Sequence, residues 1–340
     1  MAHTSTQVTP DLMLMQMIMG FRVTQLLHVA AKLGVADLLA DGPKSSRELA
    51  KQCECDADGL YRTLRALSNL GVLIELGQQR FRLTALGEHL RAGKDGSLHA
   101  AALLYGEPWL WNAYGQMLHS VQTGTPAFER THGKQFFDYL STNELAAETF
   151  NAAMTAFSDQ ETTALLRAFD FSEVSHVVDV GGGHGRLVAS LLRAYPRLRA
   201  TLFDLPQVAS GARELLDPAG LGARCDVASG DFFESVPAGG EVYLLKSVIH
   251  DWDDDKATQL LSRCREAMTP VSRLLVIERL VGDPSEASEA KLFDINMLTI
   301  LGGRERTQYE HQALLHTAGL RLTRIISTPS PLTVLEAMPL

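Results

Sequence analysis

The feature that most constrains the fold is an alternation of strand-like runs with helical stretches, which begins near residue 165. This alternation predicts a mostly parallel sheet with helices on both faces. Two later runs, 320–327 and 332–338, are joined by four residues, too few for a crossover helix, so we expect an antiparallel hairpin at the sheet edge. The earlier strand-like runs are 176–180, 200–205, 224–228, 242–249 and 274–278, with helices expected at 186–194 and 256–268.

The N-terminal part of the sequence has mainly helical patterns. Ser45, with Glu48 three residues later, predicts a capping box that opens a short helix. Asp56 is expected to cap a second helix that carries leucines along one face. The runs 72–75 and 80–83 then predict a small hairpin. Helix, helix and hairpin together form the outline of a winged helix.

The bulk properties indicate a two-domain protein that does not bind nucleic acid. A chain of 340 residues exceeds a typical single core. We place the boundary between a helical domain, 1–165, and a second domain, 166–340. The net charge of −9 argues against nucleic acid, since phosphate contact needs clustered cations. The four cysteines give neither a disulfide framework nor zinc-finger spacing, so we expect a reduced, cytoplasmic protein.

Half of the ten methionines fall within the first 19 residues, beside the apolar run 12–21. The run is too short to span a bilayer, and we expect no membrane partner. Methionine-rich faces adapt readily to other surfaces, which favours a subunit interface. An ordinary buried helix is the alternative, and the sequence does not separate the two.

The sharpest local motif is 177–185, a strand-like run that ends in a glycine-rich turn and opens a helix. Glycines at alternate positions allow a ligand to approach the backbone and allow positive φ angles. A dinucleotide fingerprint would need glycine where Arg186 stands, which counts against a nicotinamide cofactor. Asp204 follows the next strand-like run, where a carboxylate can accept hydrogen bonds from ribose hydroxyls.

With these motifs, the sequence resembles the small-molecule O-methyltransferases that act on plant phenolics and bacterial aromatic metabolites. The resemblance covers nearly the whole chain. It implies a Rossmann-like methyltransferase domain with a seven-stranded sheet, an N-terminal winged-helix dimerisation domain, and S-adenosyl-L-methionine as cofactor. It rests on segments 179–185, 203–206, 230–233, 250–252 and 302–307, together with Lys246.

The resemblance also implies which residues hold the cofactor. These are Gly181 and Gly183 at its methionine part, Asp204 at the ribose, Asp231 and Phe232 at the adenine with Lys246 nearby, and Ser158 at the methionine carboxylate.

His250 is the residue we expect to perform the chemistry. A phenol has a pKa of about 10, so it is mostly protonated at neutral pH and needs a base. Histidine is suited to accept that proton. His250 follows a strand at the carboxyl end of the predicted sheet, where ligands of such sheets bind. Glu278 and Glu305 resemble the family's carboxylates that orient this histidine.

The acidic run 251–255 precedes a predicted helix, where the helix dipole favours carboxylates, so we expect no metal. The resemblance further implies a flat apolar pocket for a small aromatic hydroxyl substrate. Its expected walls are Met154, Phe157, Asn296, Met297, Trp109 and Tyr105, although methionine and aromatic residues more often fill cores.

Three functional readings remain open on the sequence. The first is an O-methyltransferase, which we favour and expect to be a homodimer. The second is a family member that binds S-adenosylmethionine but catalyses a different reaction; such relatives often lack the base. The third is a winged-helix regulator, which is disfavoured because Asp56 and Asp58 open its candidate recognition helix.

Overall fold

The computed structural model describes residues 9–94 and 96–340. The chain divides into two compact units. One comprises residues up to Asn112 together with Asn143–Ala156, and the other comprises Ala113–Thr142 and Phe157–Leu340. This division is more interleaved than the expected boundary after residue 165, which stays a prediction.

The first unit combines helices with a small antiparallel sheet. Ser45 and Glu48 form the capping box expected at the start of a helix. Asp56 caps the next helix by accepting the backbone N–H of Gly59. The elements are α1 (Pro10–Ile18), α2 (Gly20–Lys32), α3 (Val35–Leu38), β1 (Lys44–Ser45), α4 (Ser46–Gln52), α5 (Ala57–Asn69), β2 (Leu73–Leu76), β3 (Arg80–Leu83) and α6 (His99–Gly106).

Sheet order β1-β3-β2 and the helices α4 and α5 give the winged-helix outline that the sequence predicts. The leucines of α5 at positions 60, 64 and 67 are buried, as their spacing requires. Two helices run across the boundaries of the compact units, α7 (Pro108–Tyr114) and α11 (Glu144–Ala168).

The second unit contains a seven-stranded sheet of order β6-β5-β4-β7-β8-β10-β9. The first five strands in this order are parallel, and β10 is antiparallel to both of its neighbours. The predicted edge hairpin is therefore confirmed. The strands are β4 (His176–Val180), β5 (Arg199–Asp204), β6 (Cys225–Ser229), β7 (Val242–Lys246), β8 (Arg273–Arg279), β9 (Leu320–Ser327) and β10 (Leu332–Pro339).

Helices cover both faces of this sheet. Alternate residues of a strand point to opposite faces, so Val177 of β4 packs into one apolar core and Val178 into the other. The helices of this unit are α8 (Met117–Thr123), α9 (Ala127–His132), α10 (Phe136–Ser141), α12 (Arg186–Ala194), α13 (Pro206–Leu216), α14 (Asp254–Ala267), α15 (Glu289–Asn296) and α16 (Gln308–Thr317).

The predicted strand 242–249 is longer than the strand in the structure. The run 242–249 was expected to be extended throughout, but β7 ends at Lys246. Ser247 adopts a φ of 54°, a left-handed conformation that turns the chain out of the sheet. A 3₁₀ turn, Ile249–Asp251, follows. Val248 and Ile249, which lead into this turn, are apolar and buried, which is why hydrophobicity alone did not mark the end of the strand.

Helix α1 has no buried residue, although most of its side chains are apolar. Its exposed apolar residues continue into α2 as far as Phe21 and Val23. Within residues 9–94 and 96–340, no single helix is long and apolar enough to cross a membrane. Among the described residues, α1 and α2 taken together, bent by 45° at their junction, form the one helix pair that meets the required length and composition.

Candidate active site

His250 lies in the 3₁₀ turn that follows β7 and is 7% exposed. The turn lies past the carboxyl end of a central parallel strand, the edge at which open α/β sheets bind ligands. The neighbouring strand β8 carries Glu278 next to its own carboxyl end. The sheet thus brings His250 and Glu278 together, although 28 positions separate them in sequence.

Glu278 holds both the backbone and the ring of His250. Its Oε1 accepts the backbone N–H groups of Val248, Ile249 and His250, at 3.0, 2.8 and 3.3 Å. Its Oε2 lies 3.1 Å from Nδ1 of the His250 ring. A fully buried carboxylate needs such donors to compensate for lost hydration. Glu278 therefore fixes the turn as well as the imidazole.

Glu305 approaches the same ring nitrogen from another segment. Its Oε1 lies 2.9 Å from Nδ1 of His250 with hydrogen-bond geometry. The backbone N–H of Glu305 donates to Asp294 of α15 at 2.8 Å, which fixes the loop that carries it. Two buried carboxylates thus face Nδ1, and Nε2 is the ring nitrogen left to exchange a proton with a ligand. The carboxylate of Asp251 lies 3.4 Å from Nε2.

The electrostatics of this cluster favour a proton on the imidazole. Burial by itself would lower the pKa of His250, but the carboxylates of Glu278 and Asp251 outweigh it and raise that pKa well above 6.5. Burial would raise the pKa of Glu278, yet the neighbouring His250 holds it below its ordinary value. Burial raises the pKa of Glu305 and raises that of Asp251 to about 7.

His250, Glu278 and Glu305 are also the set of described residues whose ligand atoms lie close enough to hold a metal, all within 4.8 Å of one another. The hydrogen bonds of these side chains instead hold the turn and the imidazole of His250. Glu278 Oε1 already accepts three backbone N–H groups, and Nδ1 is engaged by Glu305. The expectation that the protein uses no metal stays a prediction.

The glycine-rich turn links β4 to α12 in the way that its sequence predicts. Gly181 has a φ of 74°, and a Cβ there would lie 2.9 Å from a methyl group of Val248 and 3.7 Å from the ring of Phe232. A side chain at 181 would therefore be strained and crowded. Asp204 at the end of β5 accepts the backbone N–H of Gly183 at 2.8 Å. The turn, the adjacent strand end and Phe232 thus meet in one place.

Asp179, the last but one residue of β4, is 2% exposed, and no partner for its Oδ2 is found among the residues that the structure describes. Burial raises the pKa of this carboxyl to about 7. A buried oxygen of this kind, beside a turn in which Gly183 has open space around its Cα, fits a ligand that brings its own hydrogen-bond donors.

Three aromatic rings form one cluster beside the turn. The ring centroids of Phe232 and Trp252 are 6.0 Å apart, and Phe233 lies 4.8 Å from Trp252 in an edge-on arrangement. Asp231 accepts the backbone N–H of Phe233 at 2.8 Å and so fixes the start of this segment. Of the two predicted adenine-binding residues, Phe232 therefore packs against Trp252, which follows His250 by two positions, and Asp231 precedes it in the same segment.

Lys246 pairs with a residue that the sequence did not single out. Its Nζ lies 2.6 Å from Glu161 on α11, and the other oxygen of Glu161 lies 3.0 Å from Arg279 at the end of β8. All three side chains are largely buried. Arg279 also lies over the ring of Phe293, 4.5 Å from its centroid. No local motif marks Glu161, because its partners are about 85 and 118 positions away.

Asn296 accepts a hydrogen bond from the Tyr114 hydroxyl at 2.6 Å. Tyr114 is a second residue that the sequence did not single out. Met297 begins a short π-helix, Met297–Leu301, a distortion that is frequent at functional sites. Phe157 and Ser158 are half-buried on α11. Of the other residues expected at the substrate, Met154, Trp109 and Tyr105 belong to the first unit. The assignment of all these residues to a pocket stays a prediction.

Two family models match the chain. An O-methyltransferase domain matches residues 114–321, and an O-methyltransferase dimerisation domain matches residues 15–92.

A phenazine O-methyltransferase of Lysobacter antibioticus, PhzM, is 41% identical over 327 residues, 96% of this chain and 96% of that protein. The crystal structure of LaPhzM has a TM-score of 0.93 and 41% identity, covering 98% of this chain and 100% of that one. The neocarzinostatin-biosynthesis O-methyltransferase NcsB1, solved with S-adenosylmethionine and 2-hydroxy-5-methyl naphthoic acid, has a TM-score of 0.81 and 33% identity, covering 94% and 96%.

Proposed function

The chain belongs to the S-adenosylmethionine-dependent O-methyltransferases, and from this premise we propose that it methylates a hydroxyl group of a small aromatic compound, with His250 as the base. S-adenosylmethionine supplies a methyl group that is already activated on a sulfonium. The protein must align the acceptor oxygen and remove its proton.

The observation that carries the proposal is the arrangement around His250. Glu305 and Glu278 lie 2.9 and 3.1 Å from Nδ1 and hold Nδ1–H, so in the neutral ring the lone pair of Nε2 is the one that can accept a proton. In the proposed step, Nε2 takes the hydroxyl proton as the oxygen–methyl bond forms and the sulfur–methyl bond breaks. The resulting imidazolium is stabilised by two buried carboxylates, and S-adenosylhomocysteine is the second product.

The residues at the glycine-rich turn fit the cofactor. The open space at Gly183, the strand-end carboxylate of Asp204 and the aromatic ring of Phe232 lie in one region. We assign the ribose to Asp204, and the adenine to Asp231 and Phe232 with Lys246 nearby. Gly181 and Gly183 would line the methionine part, and Ser158 its carboxylate.

The acceptor is proposed from the relatives and from the apolar character of the expected pocket. The Lysobacter relative is a phenazine O-methyltransferase, and the structure of NcsB1 contains a naphthoic acid. Both compounds are planar aromatics. Flat apolar side chains suit such a molecule. We propose a small aromatic secondary metabolite, contacted in the second unit by Asn296, Met297 and Phe157.

A family member that catalyses a different reaction is the alternative. The two possibilities differ in their dependence on a base. The test is transfer of labelled methyl from S-adenosylmethionine to a panel of hydroxylated aromatics, with His250→Asn beside the wild type. Loss of about a hundredfold or more in turnover, with S-adenosylhomocysteine binding intact, supports the base. Full turnover in the variant excludes it. Tight cofactor binding without transfer to any acceptor supports the alternative.

We also propose that the protein works as a homodimer. The dimerisation-domain model matches residues 15–92, and the exposed apolar residues of α1 and the start of α2 lie just before and at the beginning of that range. An apolar surface of this kind marks an interaction site.

A further inference from the structure

The turn that carries His250 is held on two sides by buried groups of opposite charge. On one side, Glu278 accepts the backbone N–H groups of the turn. On the other side, Arg306 donates from Nη1 to the carbonyl of Ile249 at 3.1 Å and from Nη2 to the carbonyl of Trp252 at 2.8 Å. These two carbonyls flank His250. The carbonyl of Ile249 also accepts the backbone N–H of Trp252 at 3.3 Å, so the guanidinium adds a second donor there and supplies a donor to the carbonyl of Trp252.

Arg306 is 1% exposed, which is unusual for a charged residue. Its Nε and Nη2 also lie 3.0 and 2.8 Å from Oδ1 of Asp254, at the start of α14. The side chain of Asp254 is 56% exposed, so this ion pair is partly solvated. The planar guanidinium can bond the carboxylate and the two carbonyls at once because its donors point in fixed directions.

The segment that carries Arg306, residues 303–306, also contacts the backbone of His250 directly. The backbone N–H of Arg304 donates to the carbonyl of His250 at 2.9 Å. Gly303 approaches so closely that a Cβ there would lie 2.0 Å from that carbonyl oxygen. Residues 303–306 therefore contact the turn in four ways. Gly303 packs against it, Arg304 donates a backbone N–H, and the side chains of Glu305 and Arg306 form hydrogen bonds with it.

We propose that Arg306 is a positioning residue that holds His250 in the geometry required for proton transfer. The inference rests on the proposed function, in which His250 is the base. Without the two carbonyl bonds, the turn can shift and Nδ1 can leave Glu305 and Glu278. A misplacement of about 1 Å in a reacting group can cost on the order of a hundredfold in rate.

The variants Arg306→Lys and Arg306→Gln test this role. A lysine keeps the charge beside Asp254, but its single nitrogen cannot reproduce the fixed bonds to both carbonyls. We expect both variants to lower kcat by roughly tenfold to a hundredfold, with the S-adenosylhomocysteine Kd within about threefold of wild type. Asp254→Asn should lower kcat much less, because the carbonyl bonds remain. Arg213→Gln, which removes an exposed arginine paired with Asp217, is the matched surface control.

Hydrogen–deuterium exchange of the peptide 247–255 supplies a readout that is independent of catalysis. Positioning predicts faster exchange in this peptide and little change elsewhere in the second unit. Three results would overturn the proposal: unchanged kcat, full activity in Arg306→Lys, or faster exchange throughout the unit with a parallel loss of S-adenosylhomocysteine binding. If His250→Asn keeps its turnover while the Arg306 variants still loosen only 247–255, the base is wrong but Arg306 does hold the turn.

Discussion

Nδ1 of His250 lies 3.1 Å from Oε2 of Glu278, a carboxylate that is fully buried. The other oxygen of Glu278 is committed to the backbone of the same turn. A proton on the imidazole is therefore stabilised by a negative charge that cannot rotate away. Burial opposes the charged imidazole, and the carboxylates around the ring, with Glu278 foremost, together outweigh it and raise the pKa of His250.

The pH dependence of catalysis follows from this pairing. The base must be unprotonated to accept a proton, and the carboxylates raise the pKa of His250 well above 6.5. We therefore expect kcat/KM to rise with pH, and the midpoint of this acidic limb of the pH profile should lie above 6.5. Glu278→Gln removes the charge while keeping an acceptor for the backbone, so the limb should move to lower pH and kcat should fall. The kcat/KM profile of both proteins measures the shift. A limb that stays in place would show that another group controls it.

Cofactor affinity should depend on Asp204. Its carboxylate accepts the backbone N–H groups of Gly183 and Leu205 at 2.8 and 2.7 Å, and we assign the ribose to it. Asp204→Asn weakens charge-assisted hydrogen bonds worth about 1.5–3 kcal/mol each, so the S-adenosylhomocysteine Kd should rise by roughly tenfold to a hundredfold. Calorimetric titration measures it. Asp226→Asn, on the neighbouring strand and 74% exposed at the side chain, should leave the Kd unchanged. Equal affinity in both variants would remove Asp204 from the ribose site.

Local patterns predicted the features that short sequence segments determine. The capping box at Ser45, the alternating strands and the glycine turn each depend on neighbours within about four residues in the sequence. The end of β7 could not be predicted in this way, because the left-handed Ser247 is followed by buried apolar residues that continue the strand-like pattern.

The site was predicted where a motif is contiguous and missed where partners are distant in sequence. His250 was recognised from its place after a strand and from its neighbours Asp251 and Trp252. Glu161 and Tyr114 have no local signal, since each is defined by a partner more than 80 positions away. The sequence marked Arg306 only as a member of the segment 302–307. Its hydrogen bonds to the turn depend on the packing of two segments that are about 55 positions apart.

The oligomeric state should depend on the exposed apolar residues of α1. Met17 is 71% exposed in the single chain, and we propose that a second copy covers it. Met17→Asp would bury an uncompensated charge in that interface, at a cost of several kcal/mol. Light scattering at micromolar concentration should show a dimer for the wild type and a monomer for the variant. Val271→Asp, at an 80% exposed position in the second unit, should remain dimeric. A wild-type monomer would contradict the proposed dimer.

Acid sensitivity of the fold should originate in part at His311, a buried residue of α16. Burial lowers the pKa of His311 from 6.5 to about 4, so the unfolded chain binds a proton that the folded protein excludes. The free energy of unfolding is therefore highest above pH 6.5 and falls as the pH decreases toward 4, by roughly 3 kcal/mol from this group. His311→Gln should flatten this dependence in urea unfolding measured at pH 7 and pH 4.5. The exposed His316 of the same helix provides the matched control, and His316→Gln should keep the wild-type slope. An unchanged slope in His311→Gln would mean that folding does not lower the pKa of this histidine.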